Sequence, residues 1–294
     1  MKVAIVLLSL VAFAAADLLK YNTAYGYLTR FGIPLAEKIR AQEEEYLRNP
    51  ISRIFNGSPA KLGQFKYQAG LISEIVNNAG RGVCGGVLIS ENRVLTAAHC
   101  WFDGVNMAWR VEVILGSLTL FTGGTRILST DVAMHPNWFP FLIRNDIAII
   151  RLPTPVQLSD TIGIVALPTG SLAKETYEGE LATASGFGMI GNNVPIGNTQ
   201  SLSYGSANVI SNDECRDTFW LVHDSNICLG TKGASSPCRG DSGGPLVVER
   251  DGSPVLVGLT SFGPHPDIGG CEAGLPAVFA RVSSFMDDFI EKNM

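Results

Sequence analysis

Gly240-Asp241-Ser242-Gly243-Gly244-Pro245 sets one serine among three glycines, and Leu246-Val247-Val248 follows directly. A serine hydroxyl is a weak nucleophile until a base takes its proton. Glycines let backbone N–H groups come close to a developing oxyanion. The stretch also matches G-x-S-x-G, the strand–turn–helix elbow of α/β-hydrolases, whose acid and histidine follow the serine. Here the apolar run from Pro245 to Val248 reads as a strand, not a helix. Only 52 residues remain after Ser242, too few for the further βα units of an esterase. The nucleophile, if it is one, belongs to a different architecture.

Two upstream segments complete a constellation. Thr96-Ala97-Ala98-His99-Cys100 puts a histidine at the end of a strand beside a cysteine, and Asn145-Asp146-Ile147-Ala148-Ile149-Ile150 puts a carboxylate at the mouth of a very apolar strand. Alone, the serine reads as a turn residue, the histidine as a packed side chain and the aspartate as a cap. Their order along the chain, His, Asp, Ser, is what gives them weight. Gly186-Phe187-Gly188-Met189-Ile190-Gly191 matches the dinucleotide fingerprint, but Asn192-Asn193-Val194-Pro195 follows where that fingerprint needs a helix.

The rest of the sequence favours an all-β protein. Its 294 residues are 46% hydrophobic and 17% charged, with 32 Gly and 15 Pro. This composition excludes a disordered chain, a collagen and a coiled coil. A net charge of −5 without a basic run argues against a nucleic-acid partner. Val83 to Ile89, Arg110 to Leu115, Ile147 to Leu152, Ser203 to Ile210, Val255 to Phe262 and Ala277 to Val282 read as strands. Ser211 with Glu214 three residues on is a capping box. Phe285 with Phe289, and Met286 with Ile290, share a face of a C-terminal helix.

The N-terminal residues have a different texture. Met1-Lys2, the apolar run Val3 to Phe13 and Ala14-Ala15-Ala16 make residues 1–16 a signal peptide cleaved before Asp17, which predicts a secreted protein. No apolar stretch of membrane-spanning length follows, so no membrane association is expected. Six cysteines, Cys84, Cys100, Cys215, Cys228, Cys238 and Cys271, in an oxidising compartment predict three disulfides. Zinc-type spacing is lacking and the pairing stays open at 15 combinations. Residues 17–53 hold no cysteine. Pro34 to Arg48 reads as a helix with Leu35 and Ile39 on one face and the run Glu43-Glu44-Glu45, stopped by Asn49-Pro50. Residues 54–294 carry ten Arg against five Lys, a bias that suits alkaline conditions. Asn56-Gly57-Ser58 is a glycosylation sequon followed by Pro59, expected to be unoccupied.

Taken together, these segments resemble the chymotrypsin-like serine proteases, from Arg53-Ile54-Phe55-Asn56-Gly57 through Cys84-Gly85-Gly86 and Gly186-Phe187-Gly188 to Ser261-Phe262-Gly263. The resemblance covers nearly all of residues 54 to 293, and the chain resembles the secreted digestive chymotrypsin zymogens of insects. It implies two packed six-stranded antiparallel Greek-key barrels, roughly 54–165 and 166–281, with a C-terminal helix. It also implies an activation propeptide over residues 17–53 and bridges Cys84–Cys100, Cys215–Cys228 and Cys238–Cys271. The implied roles are His99 as base, Asp146 as its orienting acid, Ser242 as nucleophile, and the N–H groups of Gly240 and Ser242 as oxyanion hole. Cleavage after Arg53 would free the Ile54 ammonium to pair with Asp241.

Ser261, Phe262 and Gly263 would hold the substrate backbone, while Ser236 and Ala277 would shape the primary pocket. A neutral Ser236 at the base implies cleavage after large apolar residues, and the Ala277 methyl keeps an elastase-like preference as the alternative. A catalytically inactive binding relative is the further alternative. The expected partners are protein or peptide substrates, a trypsin-like activator and proteinaceous inhibitors, for a monomer acting outside the cell, such as in the gut lumen. No cofactor is implied. The loop Gly116 to Gly124, where relatives hold calcium, contains no carboxylate of its own, so no metal is expected.

Overall fold

The computed structural model describes residues 22–48, 58–192 and 201–294. The signal peptide, Arg53, Ile54 and the Asn56 sequon therefore lie outside the described residues. The described residues form fourteen strands: β1 (Ser58–Pro59), β2 (Gln68–Ile75), β3 (Arg81–Ser90), β4 (Arg93–Thr96), β5 (Ala108–Leu115), β6 (Thr125–Ser129), β7 (Val132–Met134) and β8 (Ala148–Arg151), then β9 (Leu181–Gly186), β10 (Ser203–Ile210), β11 (Asn226–Leu229), β12 (Pro245–Arg250), β13 (Ser253–Phe262) and β14 (Ala277–Arg281). Each expected strand falls on one of these, and Pro245 to Val248 opens β12.

Two antiparallel sheets result. The first runs β6-β5-β2-β3-β4-β8-β7 as a half-barrel. The second closes on itself through six strands, β9-β10-β11-β14-β13-β12 and back to β9. β1 adds to the edge of this second ring by pairing with Tyr204 and Ser203, so the chain at Ser58 starts on the far barrel before entering the near one. β3 and β13 are buried along nearly their whole length, because each has a neighbour on both sides and the opposite barrel over one face. Such strands read as continuous apolar runs instead of alternating ones, which is why they stand out in the sequence.

The C-terminal segment is helical but irregular: a 3₁₀ turn over Val282–Phe285, a wider π turn over Met286–Ile290 and a last 3₁₀ turn over Glu291–Asn293. Phe285, Met286, Phe289 and Ile290 are all buried, in one cluster with Val87 and Ile149 of the first barrel and Leu256 of the second. The terminal helix thus fastens the two barrels together. The short helix α2 (Asn212–Thr218) begins as expected, with Ser211 Oγ accepting from the Glu214 N–H at 3.1 Å.

The helix expected from Pro34 forms as α1 (Ile33–Arg48). Leu35, Ala36 and Ile39 bury against Val83 and Ile114 of the first barrel, Leu120 of the Gly116–Gly124 loop, and Phe187 and Met189 beyond β9. Its other face is exposed, as an amphipathic surface helix requires. The second barrel is centred on Phe279, which is fully buried among Ile227, Leu246 and Val257. Phe279→Ala should lower the unfolding free energy by about 3–5 kcal/mol, read as a shift of the denaturant midpoint. A loss under about 1 kcal/mol would contradict this packing.

Candidate active site

The site is assembled from both barrels. His99 leaves β4 on a 3₁₀ turn, Ala98–Cys100, which the Cys84–Cys100 disulfide anchors to β3. Asp146 sits just before β8, on a turn in which Asn145 takes a left-handed φ of 58°. Ser242 lies on the Gly-rich loop ahead of β12. Asp146 Oδ2 lies 2.8 Å from His99 Nδ1, and Asp146 Oδ1 accepts from the His99 backbone N–H at 3.0 Å. Ser261 on β13 adds a third bond, its Oγ donating to Asp146 Oδ2 at 2.6 Å. The carboxylate is fully enclosed, and these bonds offset the cost of burying its charge.

The serine loop is held by one backbone bond across the barrel interface and one within its own barrel. The Gly85 N–H donates to the Ser242 carbonyl at 2.7 Å, and the Gly243 N–H donates to the Thr260 carbonyl at 2.7 Å. Gly243 has φ of +78°, and a Cβ there would collide with Thr96 Oγ1. His99 Nε2 is buried and has no hydrogen-bond partner among the described residues. An unpartnered buried ring nitrogen is free to take a proton once a donor is brought to it.

Tyr27 packs against the same imidazole. Its ring meets the His99 ring edge-on with centroids 4.8 Å apart, and its phenol donates to the Val83 carbonyl at 3.0 Å. Burial pushes the phenol well above its ordinary pKa, although the Ser242 hydroxyl and the Gly240 N–H, both close to the oxygen, pull the other way. Farther along the cleft, the Gly263 N–H donates to Thr23 Oγ1 at 3.4 Å. Thr23, Tyr27 and Phe31 line the cleft with Ser242, Ser261, Phe262, Gly263 and Ala277, and leave only about 60 Å³ of it open.

Asp241 faces away from the cleft. Its Oδ1 accepts from the Gly188 N–H at 2.8 Å and its Oδ2 from the Cys238 N–H at 2.9 Å. A Cβ at Gly186 or Gly188 would run into this carboxylate. The glycines that imitate a nucleotide fingerprint make room for an acid, and no helix follows them through Asn192. Asp241 stands at the wall of a cavity of about 550 Å³ lined also by Ser236 and Met189. Burial raises its pKa to about 6, more than the two N–H bonds can lower it. Ser236 therefore shares a cavity with Asp241, whereas Ala277 and Gly263 belong to the cleft; the pocket residues named from sequence are not gathered into one chamber in this form.

The three disulfides pair Cys84–Cys100, Cys215–Cys228 and Cys238–Cys271. His135 is buried between Phe285 and Phe289, His223 lies 3.2 Å from Ser225 Oγ, and His265 packs against Phe31 with Nε2 3.2 Å from Arg30 Nη2. None of the three joins His99. The sequence reading missed Thr23, Tyr27, Phe31 and Glu43. Only Glu43 left a signal, being four residues past Ile39 on the apolar face of α1. Its carboxylate supplies the acid the Gly116–Gly124 loop lacks, accepting from the Leu120 N–H at 2.6 Å, the Phe121 N–H at 2.9 Å and Thr122 Oγ1 at 3.1 Å.

A two-barrel β fold with a buried histidine–carboxylate pair beside a serine on a glycine loop defines a class, the serine hydrolases of this architecture. The family model described as Trypsin matches residues 54–288, and the chain belongs to that family of serine endopeptidases. A collagenase of Hypoderma lineatum is 37% identical over 82% of this chain and 87% of its own length. A brachyurin of Leptuca pugilator is 39% identical over 69% and 84%, and a chymotrypsin-C of Bos taurus 32% identical over 91% and 95%. The solved structure of HL collagenase superposes with a TM-score of 0.72 at 37% identity, covering 82% of this chain and 98% of that one. No helix among the described residues is long and apolar enough to cross a membrane.

The raised pKa of Asp241 makes a pH prediction. A carboxyl that ionises near 6 when folded and near 3.8 when unfolded binds its proton more tightly in the folded state, so its ionisation costs stability as pH rises from about 4 to 6. The unfolding free energy of Asp241→Asn, relative to the parent chain, should therefore shift in the variant's favour over that window and level off above about pH 7. A difference independent of pH would contradict the buried, uncompensated carboxylate.

Proposed function

We propose that the chain is a secreted zymogen of a chymotrypsin-like endopeptidase, with residues 1–16 as signal peptide and 17–53 as activation propeptide. The carrying observation is the 2.8 Å His99 Nδ1–Asp146 contact, enclosed at the barrel interface where the Ser242 loop is bonded to Gly85 of the first barrel. The start of the family match at residue 54 supports the propeptide boundary. In the active form Ser242 Oγ attacks the scissile carbonyl carbon while His99 Nε2 takes its proton. The N–H groups of Gly240 and Ser242 receive the oxyanion, an effect of about 3 kcal/mol per donor. Collapse breaks the C–N bond as His99 returns the proton to the leaving amine, and water repeats the sequence on the acyl-enzyme. Asp146, steadied by Ser261, fixes the imidazole tautomer and stabilises the imidazolium.

Cleavage after Arg53 by a trypsin-like protease supplies the Ile54 ammonium to Asp241, whose carboxylate accepts only from backbone N–H groups among the described residues. Drawing Asp241 into that pair moves the adjacent Gly240 and Ser242 donors and brings Ser236 to the pocket base. A neutral Ser236 offers a buried cation no counter-charge, so the substrates are proteins or peptides cut after Phe, Tyr or Leu. Ala277, which lines the cleft, favours an elastase-like preference as the second reading. The monomer acts extracellularly in digestion, is open to proteinaceous inhibitors, and needs no cofactor or metal.

Matched chromogenic peptides ending in Phe, Leu, Ala and Arg, given to the chain after cleavage at Arg53, test this. The expected order is Phe and Leu above Ala, with Arg poorest. Ser242→Ala should lower kcat by about 10⁴-fold or more. Preference for Arg overturns the pocket reading, preference for Ala selects the elastase-like one, and full activity in Ser242→Ala overturns the mechanism.

A further inference from the structure

We propose that residues 22–45 are an inhibitor carried in the same chain, plugging the active cleft through Tyr27 and remaining bound after the Arg53 bond is cut until they dissociate. The inference rests on the peptidase reading of the site and adds how that site is kept closed. Its basis is the number of reactive positions the segment takes. The Tyr27 side chain lines the cleft with Ser242, where a substrate would have to lie, and its ring packs edge-on against the His99 imidazole with centroids 4.8 Å apart. Thr23 Oγ1 takes the Gly263 N–H that a substrate backbone would use. Leu35 rests directly on Gly240, where a Cβ would collide with its Cδ2.

The remaining contacts are those of a folded ligand, not of a loose leader. Asn22 Oδ1 accepts from the Ala24 and Tyr25 N–H groups while its Nδ2 donates to the Pro140 and Phe141 carbonyls. The Leu28 N–H donates to Asp103 Oδ2 at 2.8 Å, and the Leu28 side chain is fully buried. Glu43 closes the far end on three donors of the Gly116–Gly124 loop. Residues 17–53 contain no cysteine, so no disulfide keeps the segment on the protease once Arg53 is cut. Non-covalent affinity alone decides how long the cleft stays closed, and activity then depends on concentration.

The test compares the parent full-length chain with Tyr27→Ala and Leu35→Ala, each cut once after Arg53. The protease body, residues 54–294, is then identical in all three digests, so any difference comes from the released segment. The parent digest should show an apparent KM at least about tenfold above that of the Tyr27→Ala digest, a modest share of what truncating a buried aromatic costs. The kcat should be the same, and the difference should vanish on dilution. The parent segment should co-elute with the body on gel filtration, and the Tyr27→Ala and Leu35→Ala segments should elute alone. An active parent digest with the variants' KM at every dilution, and a segment that elutes separately, overturns the proposal. Co-elution in the parent digest, with no hydrolysis in any of the three digests at any dilution, supports the plug and sinks the peptidase reading instead.

Discussion

One buried carboxylate ties the molecule together. Asp146 stands at the seam between the barrels and accepts hydrogen bonds from His99 of the first barrel and from Ser261 of the second. A charge withdrawn from water is costly unless hydrogen bonds meet it, and these three bonds favour the relative placement of the barrels that makes them. The same placement brings the Gly85 N–H of the first barrel onto the Ser242 carbonyl of the second. Fold and site are thus one constraint: the seam that satisfies Asp146 is also the seam at which the Ser242 loop is held.

The chain satisfies Asp146 and Asp241 in different ways. Asp146 is met by an imidazole, an amide and a hydroxyl. Asp241 has only two amides and, among the described residues, no cation within ion-pair distance. Its raised pKa marks it as the unfinished part of the structure. A new cation delivered to its cavity would relieve that cost and move the residues next to it in sequence, Gly240 and Ser242. The N-terminal segment acts on the same loop from the opposite side, with Leu35 on Gly240 and Tyr27 before Ser242. Restraint from the cleft and an uncompensated acid behind it hold the loop from both faces.

Much of this was legible in the sequence because the strands that build the seam are buried on both faces and read as unbroken apolar runs. Ile147–Ile150 and Val255–Phe262 are of this kind. The short edge strands β1, β6 and β7 carry mixed, half-exposed residues and left no comparable pattern. His99, Asp146 and Ser242 were visible as candidates because each is embedded in glycines, cysteine or an apolar strand of distinctive order. The plug was not. Thr23, Tyr27 and Phe31 meet their partners more than 50 residues away, and nothing local in residues 22–32 says which cleft they enter. Only α1 announced itself, through Leu35 and Ile39, and even there the loop that Glu43 would clamp could not be read from its spacing. The pocket is a further case: Ser236 follows from its distance to Ser242, yet in the uncut chain it faces another cavity.

The most direct measurement is mass-spectrometric mapping of the adduct left by a serine-acylating organophosphate, before and after the Arg53 bond is cut. This account predicts stoichiometric labelling of Ser242 in the cut chain once the N-terminal segment has dissociated, and little or none in the intact chain, where Tyr27 covers the site. Labelling at another residue, or equal labelling of Ser242 in the intact chain, would contradict it.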